Sequence, residues 1–320
     1  MVYLILIVVF LLLIIASGEV FIRGAIGIAS RLRISSFAIG ASILAVGTAS
    51  PDFFVSGASV LKGHAEVSLG SVIGSVIVNI LVCIGLASII SGVRYDKKDK
   101  GLSFGMKYHL LFLIIMTTSL MFSNGEIGWG LSLFLVISAG FFLFCTLTME
   151  AFQLEDEDGA GETASINLPL SLGFFGAGII GLSIFSNYLL DAIINASEFF
   201  KIPKKVISSL MIGFGNSIPE IVTAVIASLK KRSRVIIGNV IGSNILILGG
   251  VLGASSFLAN IMGSKIQVSL PILTLDLPFL MLCTVLFFFF FKIKNHLGRI
   301  LGLIFIFLYL LYILLQINII

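Results

Sequence analysis

Charge is what this chain has least of. Lys and Arg number 20 and Asp and Glu 16 among 320 residues, 11% in all, where an average soluble domain carries about a quarter. So few cannot cover a soluble surface, which must face water. Cysteine is scarce as well. Cys83, Cys145 and Cys283 fall in or beside apolar runs without metal-ligand spacing, so they read as small buried hydrophobes, and an odd number argues against a disulfide scaffold. A basic region and a small-residue cleavage site are missing from the apolar start Met1–Phe10, which reads as a first span and not as a removable signal. No nucleophile, base and oxyanion donors assemble, and no Gly-rich phosphate loop precedes a Lys. The expectation is a protein that is not an enzyme and carries no resident cofactor.

What is present is apolar. Hydrophobic residues make up 58% of the chain, Phe alone 28 residues, and mean hydropathy is +1.16. This composition predicts an all-α polytopic protein of the cell membrane, with the lipid bilayer as its main partner. A span needs about 20 residues of helix, and the apolar runs predict ten: 2–22, 35–61, 66–90, 106–122, 127–149, 168–191, 203–229, 234–261, 270–291 and 297–317. The second, third, seventh and eighth are rich in Gly, Ser and other small residues, which let helices pack closely, so these four are expected to form the protein-facing core. The first, fourth, ninth and tenth are expected to face lipid.

The net charge of +4 and pI near 9.0 do not point to nucleic acid, because the basic residues lie in short clusters between apolar runs. Fifteen Lys and Arg fall in the odd-numbered loops and five in the even ones. That excess places the odd loops in the cytoplasm and both termini on the extracytoplasmic side. The fifth loop is the acidic exception, with Glu155–Asp158 plus Glu150 and Glu162, and reads as a solvated linker.

Residues 18–79 align with 186–247 at a constant offset of 168 and without gaps, so that Pro51 and Asp52 fall on Pro219 and Glu220. Gly70–Ile77 falls on Gly238–Ile245 with six of eight positions identical. Each half holds five spans, and an odd number starts the second half from the opposite face. The predicted organisation is a first inverted-topology repeat over 1–149, a linker over 150–167 and a second repeat over 168–320. Transporters built this way place their site at the repeat interface near the bilayer midplane.

Two prolines and two acids mark that place. Asp52 and Glu220 each fall near the middle of a predicted span, where a carboxylate is costly unless it faces a protein-lined or wet site or binds a cation. Pro51 and Pro219 have no N–H, which leaves the carbonyls of Gly47 and Gly215 without their helical partners and is expected to unwind both segments. Within one turn the chain thus sets a free carbonyl, a side-chain oxygen (Thr48 or Asn216) and a carboxylate. Oxygen ligands with two negative charges suit Ca²⁺ or Na⁺ and, with no Cys or His beside them, not a thiophilic metal. Ser75, Asn79, Ser217 and Ser243 are expected secondary ligands, while Asn244 is as readily a packing residue. A proton relay through the same acids stays open. Asp276, just before Pro278, reads as a helix cap, and Glu19 and Arg23 as residues that reach headgroups or pair near a span end.

With these motifs in view, the chain resembles the cation/calcium exchanger superfamily, in particular prokaryotic sodium/calcium exchanger-like membrane proteins. Gly47–Asp52 and Gly215–Glu220 are similar to the family's two G-T-S-x-P-E elements, and 70–80 and 238–248 to its G-N-x-x-G-S-N elements. The resemblance implies ten spans in two inverted halves and antiport of Ca²⁺ against Na⁺, with H⁺ as counter-ion in other branches. It implies Asp52 and Glu220 as chelating acids, Thr48 and Asn216 as oxygen donors, and Ser75, Asn79, Ser243 and Ile247 as the matching positions of helices three and eight. Departures from the pattern are Asp52 for Glu, Ala49 for Ser, Asn216 for Thr, Val76 for Asn and Ile247 for a common Asp. The expected function is therefore a secondary cation antiporter exchanging calcium for sodium by alternating access. A proton-coupled exchanger of calcium or another divalent cation, and a cation channel, are the alternatives. Inorganic cations are the expected partners, with no nucleic acid and no obligate protein partner.

Overall fold

The computed structural model describes residues 2–32, 35–61, 65–96, 98–148, 167–199, 214–264, 266–293 and 296–319. The predicted linker lies outside the described residues. Among those described, the chain is helical apart from two short strand pairs. Long apolar runs have no water with which to satisfy backbone groups, so they wind into helices. Helices α1 (Val2–Leu32), α2 (Ser36–Ala38), α3 (Ala45–Leu61), α4 (Ala65–Val78), α5 (Ile84–Ile90), α6 (Lys100–Phe122) and α7 (Trp129–Thr148) form the first half. Helices α8 (Leu168–Phe199), α9 (Ile218–Leu229), α10 (Ser233–Ile245), α11 (Gly253–Ile261), α12 (Leu277–Ile293) and α13 (Arg299–Ile319) form the second.

Among the described residues, eight helical stretches are long and apolar enough to cross a membrane, and two shorter ones, Ser36–Ser50 and Ile218–Leu229, accompany them. The chain is an all-α polytopic membrane protein. Helix α1 runs about ten residues past the predicted end of the first span, because nothing between Ile22 and Leu32 breaks it, and so it carries Arg23 and Arg31 within the helix.

Wider π-helical turns join the helices of the core: Ile39–Leu44 between α2 and α3, Asn79–Cys83 between α4 and α5, and Leu246–Leu252 between α10 and α11. Such turns recur at functional sites because the extra residue re-aims the side chains around it. A fourth, Ile272–Asp276, precedes α12.

The core is where the small residues put it. An 18-residue window within Ser233–Ile261 is 94% buried and one within Gly70–Ile90 83%, against 22% within Ile5–Arg31 and 17% within Leu168–Ala196. Helix α10 packs against the turn Ile39–Leu44 at a separation that only glycine allows. A Cβ on Gly238 would collide with the Phe37 carbonyl, and one on Gly40 with the carbonyl of Val235. The exposed faces are apolar, including Leu12, Ile180, Phe289 and Phe307, as a bilayer demands.

Polar contacts tie particular loops together. Glu19 pairs with Arg23 at 2.8 Å and with Lys230 at 2.6 Å, which bears out pairing at that span end. Asp99 pairs with Arg234 at 2.7 Å, and the Arg94 amide donates to Ser233 Oγ. Strand β1 (Val93–Arg94) pairs antiparallel with β4 (His296–Leu297), and β2 (Glu126–Ile127) with β3 (Ile266–Gln267). The first, third, seventh and ninth loops thus meet one another, and the fourth meets the eighth.

Candidate functional site

The two proline motifs fold differently. Helix α3 continues through Pro51, and the departure from α geometry lies upstream, in the π-helical turn Ile39–Leu44. The expected unwinding at Gly47–Asp52 is therefore corrected. In the second half Gly215, Asn216 and Ser217 form a turn, and α9 starts at Ile218 with Pro219 in its first turn. Local sequence explains the difference. Ala45 and Ala49 favour helix, whereas Gly213 and Ser217, their counterparts at offset 168, favour turns. A proline in the first helical turn costs no hydrogen bond, because that N–H has no helical acceptor.

Both acids are buried, Asp52 at 6% exposure on α3 and Glu220 at 1% on α9. They come within electrostatic range of each other, and Thr48 and Cys83 also neighbour Glu220. Among the described residues neither oxygen of the Glu220 carboxyl makes a well-formed hydrogen bond, the nearest donors being the Thr48 hydroxyl and the residue's own amide. The side-chain oxygens around them cross between the halves. Thr48 Oγ1 lies 3.2 Å from Ser243 Oγ, and Ser217 Oγ donates to the Ser75 carbonyl at 3.4 Å. Asn79 Nδ2 donates to Asn244 Oδ1 at 3.1 Å, which leaves the Asn244 amide nitrogen unpartnered, as is Ser75 Oγ. Gly47 is held against the ring of Phe21, where a Cβ would come within 2.5 Å, and Gly215 is buried in its turn.

The predicted residues Asp52, Glu220, Thr48, Ser75, Asn79, Ser217 and Ser243 are all buried. Asn216 is half-buried, and its amide donates to Ser71 Oγ at 2.6 Å. Ser71 was not singled out in the sequence. It sits at the position equivalent to Asn239, whose side-chain oxygen is buried and unpartnered, so the repeat could have flagged both. Asn244 is bonded across the halves and not merely packed. Ile247, at the Asp position of the family pattern, is fully buried. Among the described residues no three of His, Cys, Asp or Glu come together.

Asp276 is no cap. It lies inside a continuous helical run, 5% exposed, and accepts from Tyr312 Oη at 3.0 Å and Gln316 Nε2 at 2.7 Å. Its place is between α12 and α13, bound to side chains of the last helix. The three cysteines are free and buried.

A buried carboxyl group so poorly hydrogen-bonded costs several kcal/mol if it is charged. Among the described residues the surrounding groups are hydroxyls, amides and carbonyls, and no ion pair reaches either acid. Such an arrangement can offset that cost with a hard cation or a proton.

Known proteins share this architecture. Residues 2–148 and 170–318 match the family model described as sodium/calcium exchanger protein. An uncharacterized membrane protein of Methanocaldococcus jannaschii is 27% identical over 299 residues, 93% of each chain. The sodium/calcium exchanger MaX1 of Methanosarcina acetivorans is 24% identical, covering 77% of this chain and 80% of its own. Among solved structures, the sodium-calcium exchanger NCX_Mj soaked with Na⁺ and Ca²⁺ superposes with a TM-score of 0.80 at 26% identity, over 98% of both chains.

Proposed function

The chain belongs to the sodium/calcium exchanger protein family, a membrane transporter and not an enzyme, and from that premise we propose that it exchanges Ca²⁺ for Na⁺ by alternating access around Asp52 and Glu220. The observation that carries the assignment of the site is the buried Glu220 carboxyl, which makes no well-formed hydrogen bond among the described residues and lies within electrostatic range of Asp52. One Ca²⁺ or two Na⁺ balance two carboxylates. Oxygens of Thr48, Asn216, Ser75, Asn79, Ser217 and Ser243, with the Gly47 carbonyl that Pro51 leaves without a helical donor and the turn carbonyl of Gly215, supply the remaining ligands. An empty, doubly charged site is costly to close in low dielectric, so the protein changes sides only when loaded, and flux in one direction drives flux in the other.

The ten-span organisation in two inverted repeats, 1–149 and 168–320 about the linker 150–167, is part of this reading. Strand pairing supports the count. Strands can pair only on the same side of a membrane, so an even number of crossings must separate β2 from β3, and likewise β1 from β4. Both numbers are even only if the segment ending in α9 crosses as well. The basic residues meet in the linked first, third, seventh and ninth loops, which supports a cytoplasmic position for that end and extracytoplasmic termini.

The deciding experiment is Ca²⁺ uptake into proteoliposomes loaded with Na⁺, alongside vesicles holding only a pH difference. Uptake driven by the Na⁺ gradient and lost in Asp52→Asn and Glu220→Gln is the expected result. Uptake driven by protons alone would replace Na⁺ as counter-ion. Full activity in both variants would remove the acids from the mechanism.

A further inference from the structure

Helix α6 has two unlike faces. Leu102, Met106, His109, Phe112, Leu113 and Met116 turn inward and are buried. The opposite stripe, at spacings of three and four, runs Lys100, Ser103, Phe104, Lys107, Tyr108 and Leu111, and with Lys98 it lines an open groove of about 500 Å³. The stripe is graded along the helix. Lys100 and Ser103 open it, Phe104, Lys107 and Tyr108 follow, and Leu111, 56% exposed, leads on to Ile114 and the lipid-facing surface.

At 1.5 Å per residue, Lys107 lies about 10 Å and Leu111 about 16 Å beyond Lys100 along the axis. The headgroup layer is roughly 5–8 Å deep on each side of the hydrocarbon, and lysine stems bridge the difference by snorkelling. Lysines and aromatic rings therefore share the depth of headgroup and glycerol, and the aliphatic Leu111 follows at the depth of the acyl tail. Lys98, Lys100 and Lys107 make no ion pair among the described residues. The acid nearest in sequence is already engaged, since one Asp99 oxygen accepts from the Leu102 amide and the other pairs with Arg234. Asp96 is exposed and caps the Lys98 amide. Among the described residues the groove thus presents positive charge without an ion-pair partner above an aromatic floor, where Phe104 and Tyr108 stand 5.7 Å apart and Tyr108 is anchored through Ser138.

We propose that this groove binds the phosphate headgroup of an anionic phospholipid, with Lys98, Lys100 and Lys107 on the phosphate and Phe104, Tyr108 and Leu111 against the first carbons of an acyl chain. Charge complementarity selects an anion, and the apolar continuation selects a lipid over a free ion. The site is separate from the acids of the transport site and does not depend on which cations are exchanged.

The test is lipid retention by the full chain, counted by native mass spectrometry after equilibration with phosphatidylglycerol and phosphatidylcholine in mixed micelles. Each lysine near an anionic lipid contributes about five-fold in affinity. Lys100→Gln/Lys107→Gln should therefore lower the preference for phosphatidylglycerol about 25-fold, while Lys292→Gln, an exposed cation on another helix, leaves it unchanged. Inorganic phosphate at millimolar concentration should not displace the lipid. Equal retention of both lipids by the unaltered chain, or undiminished preference in the double variant, overturns the proposal. Displacement by phosphate alone would make the groove an ion site and overturns it too. Both lysines are exposed, and an unchanged elution volume confirms that the variant is folded.

Discussion

Replacing Glu220 by Gln gives two effects of opposite sign, and both follow from its surroundings. The side chain is 1% exposed, its oxygens make no well-formed hydrogen bond among the described residues, and Asp52 lies within electrostatic range. Without a cation, the amide relieves both the desolvation of a charge and the repulsion from Asp52, and the protein should gain at least about 1 kcal/mol of stability. With Ca²⁺ the sign reverses. Truncating one member of a buried charge pair costs about 2–5 kcal/mol, a loss of roughly 30- to 5,000-fold in affinity. At a Ca²⁺ concentration 100 times its dissociation constant, the unaltered protein gains about 2.7 kcal/mol from binding. At that same concentration the variant gains less than about 0.9 kcal/mol. Thermal denaturation of the purified protein in detergent, with chelator and then with Ca²⁺, reads both terms. The variant should melt higher in chelator and respond little to Ca²⁺. A Ca²⁺ response equal to that of the unaltered chain would refute Glu220 as a ligand, and a lower melting point in chelator would refute the account of its unmet charge.

Other outcomes follow from the same geometry. Thr48→Val and Ser243→Ala each remove one side of the 3.2 Å contact between the halves; a double-mutant cycle on stability should show a coupling of about 1 kcal/mol, and strict additivity would mean that the contact carries nothing. Gly238→Ala puts a methyl group against the Phe37 carbonyl and should prevent close packing of α10 on the turn before α3, seen as aggregation in size-exclusion chromatography; a monodisperse, transport-competent variant would count against that packing. Asp276→Ala strips Tyr312 and Gln316 of their acceptor and should cost about 2–3 kcal/mol of stability. Asp276→Asn keeps a carbonyl oxygen and should cost less; equal loss in the two variants would show that charge, and not hydrogen bonding, matters there.

Much of the fold was legible because it rests on local properties. Apolar length predicts a span wherever a run reaches about 20 residues, and the described helices follow those runs to within a few residues, except that α1 and α8 run about ten and eight residues further and α6 starts six earlier. Burial of Gly70–Ile90 and Ser233–Ile261 was legible too, since small residues at close spacing only make sense against another backbone. The acids could be found because a charge in an apolar run has few uses. Hydrogen-bond partners were less accessible. Asn79 and Asn244 lie 165 positions apart, Asn216 and Ser71 145, and nothing in the neighbourhood of either residue encodes which oxygen it meets. Asp276 was misread for the same reason: the local Pro278 suggested a cap, while its true partners stand on α13, 36 and 40 residues away.

The chain's order of residues alone settled that it lives in a membrane, that it repeats itself at an offset of 168, and that each half carries one acid beside a proline. Those are matters of solvent and of neighbouring residues, which a linear pattern carries in full. Packing decided the rest. Whether a proline falls in the first turn of a helix, as Pro219 does, or is absorbed within one with a wider turn upstream, as Pro51 is, depends on the balance between local propensity and the helices pressed against it. Which oxygens gather around Glu220 depends on distances across the two halves, and such distances exist only once the chain has folded.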